Sequence, residues 1–144
     1  MPITYIADDE HLSTDDFLAL AQTVWPGSYD RLRTARALQN TLNITARFEG
    51  QLVGCVRILS DGYFFSTLPE ILVHPDFQGG GVGQELMKLA WEHAPTSLFF
   101  GAQPGNELFF EKLGFQPGLE GFFRRKPRPG DLPESDGEVS FHVW

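Results

Sequence analysis

One stretch constrains this chain more than any other: Ile71-Leu72-Val73-His74-Pro75-Asp76-Phe77-Gln78-Gly79-Gly80-Gly81-Val82-Gly83-Gln84-Glu85-Leu86. An apolar, strand-like run turns at His74-Pro75 and passes through a glycine cluster. It then enters a segment whose residues Val82, Leu86, Leu89, Ala90 and His93 fall on one helical face. The first N–H groups of a helix have no intrahelical partner and carry positive partial charge. Glycines let that backbone come close to an anion. The stretch therefore reads as a strand–loop–helix cradle for a phosphate or pyrophosphate; the plainer alternative is a tight turn. A Walker loop needs Gly-Lys-Ser/Thr, and position 84 is Gln. A dinucleotide fingerprint on Gly79 and Gly81 needs a small residue at 84 and fails at the same place. The pattern that fits is Gln-x-x-Gly-x-Gly, at Gln78, Gly81 and Gly83.

The flanking sequence orders the remaining elements. A short strand is expected over 2–7. Ser13 caps a helix with Asp15 and Asp16 in its first turn and Phe17, Leu20, Ala21 and Val24 on its inner face; Pro26-Gly27 stops it. A second helix runs from about Asp30 to Gln39. Strands over 42–48 and 51–59 meet at Glu49-Gly50, a hairpin signal. Asp61-Gly62 marks another turn before a strand over 64–73. The helix over 81–93 ends at Pro95, and 97–100 reads as a buried strand. A short helix closes at Gly114, and 115–117 and 121–126 read as final strands. Residues 127–138 have linker composition, and 138–144 alternate Val, Phe and Val as a strand would. The expected organisation is a core domain over 1–126 and an acidic tail over 127–144.

Length and composition bound the function. At 144 residues, 42% apolar and 21% charged, the chain suits one globular domain. Its formal charge of −8 argues against nucleic acid and anionic membranes as partners. That charge sits at the ends: residues 1–16 carry five acids and no base, 127–144 four acids and one Arg, and 17–126 balance. It is therefore no argument for a cationic substrate. Cys55 is the single cysteine and forms no intrachain disulfide, which fits a reducing compartment. No leader pattern and no membrane-length apolar run is seen, so a cytoplasmic location is expected.

The Gln78-x-x-Gly81-x-Gly83 loop resembles the pyrophosphate loop of the GCN5-related N-acetyltransferases (GNAT superfamily). So does Asn106-Glu107-Leu108-Phe109-Phe110-Glu111-Lys112-Leu113-Gly114-Phe115, which is similar to the family's later helix-and-strand signature. The likeness covers roughly residues 3–126. It implies an α/β fold with a central mixed sheet, flanked by helices, in which two strands splay apart around the pantetheine arm of acetyl-CoA. It assigns Ile71, Leu72 and Val73, with backbone groups of Leu72 and Val73 holding the pantetheine and the acetyl carbonyl. It assigns Gln78, Gly79, Gly80, Gly81, Val82, Gly83 and Gln84 to the pyrophosphate, and Asn106, Phe109 and Phe110 to the cofactor from the later segment. The implied reaction is acetyl transfer to a primary amine in a ternary complex, without a metal.

Such a transfer needs a proton removed from the amine and one available for the thiolate. The family usually places a Tyr acid where this chain has Phe110; Tyr63 is the substitute candidate. Glu70 is the first choice of base, since a buried acid in the apolar run Leu68–Val73 would have a raised pKa; the competing readings are a solvated position or a structural ion pair. His74 is second, against a capping role before Pro75, and Asp61 is third, against a turn role. Trp25, Tyr29, Tyr63, Phe64 and Phe65 are the candidate acceptor pocket, suited to a small, apolar or aromatic amine, with core packing the competing reading. Ser60-Asp61-Gly62 is also similar to plastid-type serotonin N-acetyltransferase relatives. Asp8-Asp9-Glu10-His11 lacks metal-ligand spacing. Arg124-Arg125-Lys126 with Arg128 reads as a solvated face or a contact for the CoA 3′-phosphate. Phe110 keeps open a noncatalytic acyl-CoA-binding module, and an open groove would suit protein N-termini or lysines. The terminal strand could pair with a second copy as a homodimer.

Overall fold

The computed structural model describes residues 2–118 and 121–127. The chain divides into two units, residues 1–100 and 101–144. The first unit holds β1 (Thr4–Ile6), α1 (Thr14–Val24), α2 (Arg31–Gln39), β2 (Leu42–Phe48), β3 (Gln51–Ser60), β4 (Ser66–Thr67), β5 (Ile71–Val73), a 3₁₀ turn (Pro75–Phe77), α3 (Val82–His93) and β6 (Leu98–Phe99). The second holds α4 (Glu107–Lys112).

Local chemistry starts these elements where the sequence says. Ser13 is extended and its hydroxyl accepts from the Asp16 N–H at 3.0 Å; Asp30 does the same for Arg33 at 2.8 Å. Between β2 and β3, Glu49 and Gly50 both take positive φ, 49° and 82°, the backbone of a type I′ hairpin turn.

The strands form one mixed six-stranded sheet in the order β1-β2-β3-β4-β6, with β5 also on β3. All pairings are antiparallel except β4 with β6, which is parallel. α3 covers one face. A Cβ on Gly54 would lie 3.0 Å from both Leu86 and Val82, so glycine in β3 lets α3 lie close against the sheet. Leu86, Met87 and Ala90 are fully buried there. α1 covers the opposite face, with Phe17, Leu20 and Ala21 buried; each such apolar side chain contributes about 1.5–3 kcal/mol. A buried polar clasp ties the β1–α1 connection to β2. The Asp9 carboxylate accepts from the Thr45 hydroxyl (2.7 Å), the His11 N–H (3.0 Å) and Arg47 (3.2 Å). Burial alone would raise Asp9, but these bonds hold it below the usual carboxylate range.

Two expectations change. The strand expected over 64–73 is two strands. Thr67 pairs with Leu59, whereas Ile71 pairs with Val56, so this side carries one residue more than β3. That extra residue is a β-bulge at Leu68-Pro69-Glu70, where Pro69 has no N–H to give to a ladder. The strands expected over 115–117 and 121–126 are absent among the described residues. Pro117 and Gly118 oppose extended pairing, and Phe122 is exposed rather than packed. Arg128, His142 and the terminal strand over 138–144 lie outside the described residues.

Candidate functional site

The bulge parts β5 from the β4–β6 pair. β4 pairs with β6 through Ser66–Leu98 and Thr67–Phe99, but past the bulge β5 pairs only with β3. No strand among the described residues lies along the other edge of β5. The antiparallel register decides which backbone groups face that edge. His74 N–H donates to Val53 C=O at 2.8 Å and Arg57 N–H to Glu70 C=O at 3.5 Å. Every second residue of this strand therefore turns its polar groups toward β3, and Leu72, opposite Cys55, is among them. The backbone of Ile71 and Val73 faces outward. The N–H and C=O of Leu72 are used within the sheet, whereas Ile71 and the Val73 N–H face the outer edge and Val73 C=O accepts from Gln78.

The edge runs straight into the glycine loop. Gln78 Nε2 donates to Val73 C=O at 3.0 Å, folding the loop back on the strand end. His74 caps the 3₁₀ turn, its Nδ1 accepting from Asp76 N–H at 3.1 Å, and its ring meets Phe77 edge-on at 5.9 Å. The capping reading of His74 holds. Its Nδ1 is therefore engaged within the turn. Gly79 (φ 80°) and Gly81 (φ 90°) need left-handed backbone. A Cβ at either would meet nothing within 4 Å, so open space rather than packing surrounds them. Gly81 caps α3 without a side-chain bond. The first backbone bond of the helix comes from Glu85, which leaves the N–H groups of Val82, Gly83 and Gln84 without intrahelical partners. These uncapped N–H groups and open glycines lie where the sequence places the glycine loop.

At the other end of β4 stands a rigid aromatic loop. Asp61 Oδ1 accepts from the N–H groups of Tyr63 (2.9 Å), Phe64 (2.8 Å) and Phe65 (3.2 Å). Those bonds, led by Tyr63, hold its carboxyl below the usual range. Asp61 organises this loop, the turn role weighed for it in the sequence. Tyr63 and Phe64 point outward, 74% and 81% exposed, and Phe65 stacks on Phe99 at 5.4 Å with a 10° tilt. Trp25 and Tyr29 are half-buried. The Tyr29 hydroxyl donates to Trp25 C=O at 2.5 Å and braces the α1–α2 connection.

Of the readings open for Glu70, the structure shows a buried ion pair. Arg57 Nε donates to its Oε1 and Arg57 Nη2 to its Oε2 at 2.9 Å, and the Glu70 side chain is fully buried. Phe17 of α1 lies 5.7 Å from the guanidinium. Arg57 was not among the sequence candidates, although an Arg inside the apolar run Leu52–Leu59 was its signal. Burial pushes the Cys55 thiol up, and Glu70 adds to the shift.

In the second unit, Asn106 precedes α4 and makes no side-chain cap. Phe109 and Phe110 meet edge-on at 5.1 Å. Gly114, at φ 94°, ends the helix as a left-handed C′ residue.

The sequence model of the acetyltransferase (GNAT) domain matches residues 39–117, which contain the bulge, the open edge, the loop and α4. The chain belongs to the GNAT family. Among GNAT-related proteins it is 29% identical over 132 residues to the uncharacterized N-acetyltransferase ycf52 of Gracilaria tenuistipitata var. liui, covering 83% of this chain and 72% of that one. It is 34% identical over 79 residues to the chloroplastic GCN5-related N-acetyltransferase 2 of Arabidopsis thaliana, covering 51% of this chain and 30% of that protein. A GNAT-family acetyltransferase of Streptococcus pneumoniae shares the fold, with a TM-score of 0.68 at 24% identity over 86% of this chain and 98% of its own. The α/β mixed sheet expected from the sequence is the GNAT fold.

Proposed function

We propose that the chain moves an acetyl group from acetyl-CoA to a primary amine, by direct attack while both are bound. One observation carries this: the outward edge of β5 leads, through the 3₁₀ turn and the glycine loop, to the uncapped N-terminus of α3. An extended arm bearing amides can pair with Ile71 and Val73 as a neighbouring strand would. A pyrophosphate then meets the N–H groups from Gly79 to Gly83, in open space where only backbone is needed. An outward N–H of the same edge suits the acetyl carbonyl, whose oxygen gains charge as the amine adds. Acetyl-CoA supplies the activated thioester; the chain binds it, orients it and polarises it.

Proton removal has a narrower field than the sequence suggested. Glu70 is ion-paired, His74 caps a turn and Asp61 organises a loop. We assign the amine's proton to water in the cleft, and Tyr63 remains the candidate acid for the thiolate. The loop Tyr63–Phe65, with Phe99 behind it, supports a small aromatic acceptor. Titrating acetyl-CoA and screening amines by CoA release tests the reading. Phe110 favours one rival, a noncatalytic acyl-CoA-binding module, and tight binding with no CoA release across the panel would establish it. The outward exposure of Tyr63 and Phe64 favours another, a protein amine as acceptor, so N-terminal and lysyl peptides belong in the panel. No helix among the described residues is long and apolar enough to cross a membrane. The cytoplasm is the compartment proposed from the sequence. A relative named chloroplastic makes the plastid the alternative, and fractionation separates them.

A further inference from the structure

We propose that Arg57 and Glu70 are a positioning latch: their buried pair fixes the bulge between β4 and β5, and so sets the backbone edge along which acetyl-CoA extends. The proposal rests on reading that edge as the acetyl-CoA site.

The bulge spends one residue without a partner on β3, and ladder pairing is weak around it. The Arg57 N–H to Glu70 C=O bond is long, at 3.5 Å, against 2.8 Å for His74 to Val53. Pro69 beside it has no N–H. The side chains make up for this. Arg57 and Glu70 stand where the β3–β5 register would place opposite neighbours, and the guanidinium engages both carboxylate oxygens. Two parallel charge-assisted bonds fix orientation as well as distance. Phe17 of α1 closes over the guanidinium, which leaves the Arg57 side chain 12% exposed and Glu70 at zero. An incoming ammonium reaches this carboxylate only by displacing Arg57 and lifting α1. The other charges on this face gather on Arg47, which pairs with Asp9 and with Asp16 of α1, across Cys55. His74 shares the face from the end of β5, and its Nδ1 is occupied by Asp76 N–H. From Glu70 the bulge leads in one step to Ile71 and in three to Val73, the two residues that present the open edge.

The test uses the full chain and the variants Glu70→Gln, Arg57→Gln and the double apolar replacement Arg57→Met with Glu70→Leu. The last removes both charges together and keeps a foldable core if a single loss does not. Two readouts are needed: amide hydrogen exchange over residues 68–73 without ligand, and KM for acetyl-CoA, kcat and the pH–rate profile. The latch predicts faster exchange in 68–73 in every variant that folds. It also predicts a KM for acetyl-CoA raised about tenfold, kcat changed less than about threefold, and an acidic limb that stays in Glu70→Gln. Unchanged exchange overturns the latch whatever happens to binding. Loss of the acidic limb in Glu70→Gln with KM unchanged overturns it in favour of a base. If the unaltered chain does not bind acetyl-CoA while exchange still responds, the latch on the bulge stands and the acetyl-CoA reading falls.

Discussion

Leu72 and Val73 are adjacent, apolar and alike, yet their backbones face opposite ways. The register with β3 turns Leu72 inward and Val73 outward, and a single-residue slip would exchange them. Residue type carries no trace of that choice. It does carry the glycine loop, because positive φ and open space at Gly79 and Gly81 are properties of glycine itself. Gly80 separates charge from strain, since it lacks positive φ and a Cβ there meets only Phe77 C=O at 3.8 Å. Gly80→Asp should leave the fold intact and weaken acetyl-CoA binding at least about tenfold, roughly 1.4 kcal/mol, by isothermal titration. Unchanged affinity would remove the pyrophosphate from this loop. Cys55 makes a second residue-scale prediction. Its buried, upward-shifted thiol should resist iodoacetamide in the folded chain and react on unfolding.

Elements were legible where their signals are local. Ser13 caps α1 as the sequence predicts, Asp30 caps α2 at the start expected for that helix, and Glu49-Gly50 makes its hairpin, because each signal acts within about four residues. The break in the 64–73 strand was not legible, since a bulge is defined by the partner strand's count. Pro69 was the available hint. The contact between β3 and α3 belongs to this scale too. Gly54→Ala would put a Cβ 3.0 Å from Leu86 and Val82, so urea unfolding should show a loss of about 1–3 kcal/mol. A neutral result would mean that α3 shifts freely on the sheet. The aromatic loop is held by the Asp61 carboxylate together with the Ser60 hydroxyl, which donates to Phe65 C=O and accepts from Gly62 N–H. Asp61→Ala removes three hydrogen bonds and should raise proteolytic nicking over 61–65 while helical content stays unchanged.

For the whole molecule, the charge of −8 is largely a matter of its two ends, but individual carboxylates decide its acid stability. Asp9 and Asp61 are both held below their unfolded pKa of about 4, so each prefers to stay ionised in the folded chain. Their contribution is present above that value and is lost as pH falls through the lower folded values. The melting temperature should hold from neutral pH to about 5 and then fall. Asp9→Asn should flatten that fall and destabilise the chain at pH 7 by about 2 kcal/mol. An equally steep fall in the variant would clear Asp9. The sequence by itself determined the glycine cradle, the helix caps, the hairpin and the family resemblance, because these depend on residue identity at short spacing. Tertiary structure alone decided that Glu70 meets Arg57 and that His74 is spent on a cap. It also decided that Phe65 stacks on Phe99 and that Ile71 and Val73, rather than Leu72, turn their backbone away from β3. Those outcomes depend on register between segments far apart in the chain, and register is fixed only when the sheet closes.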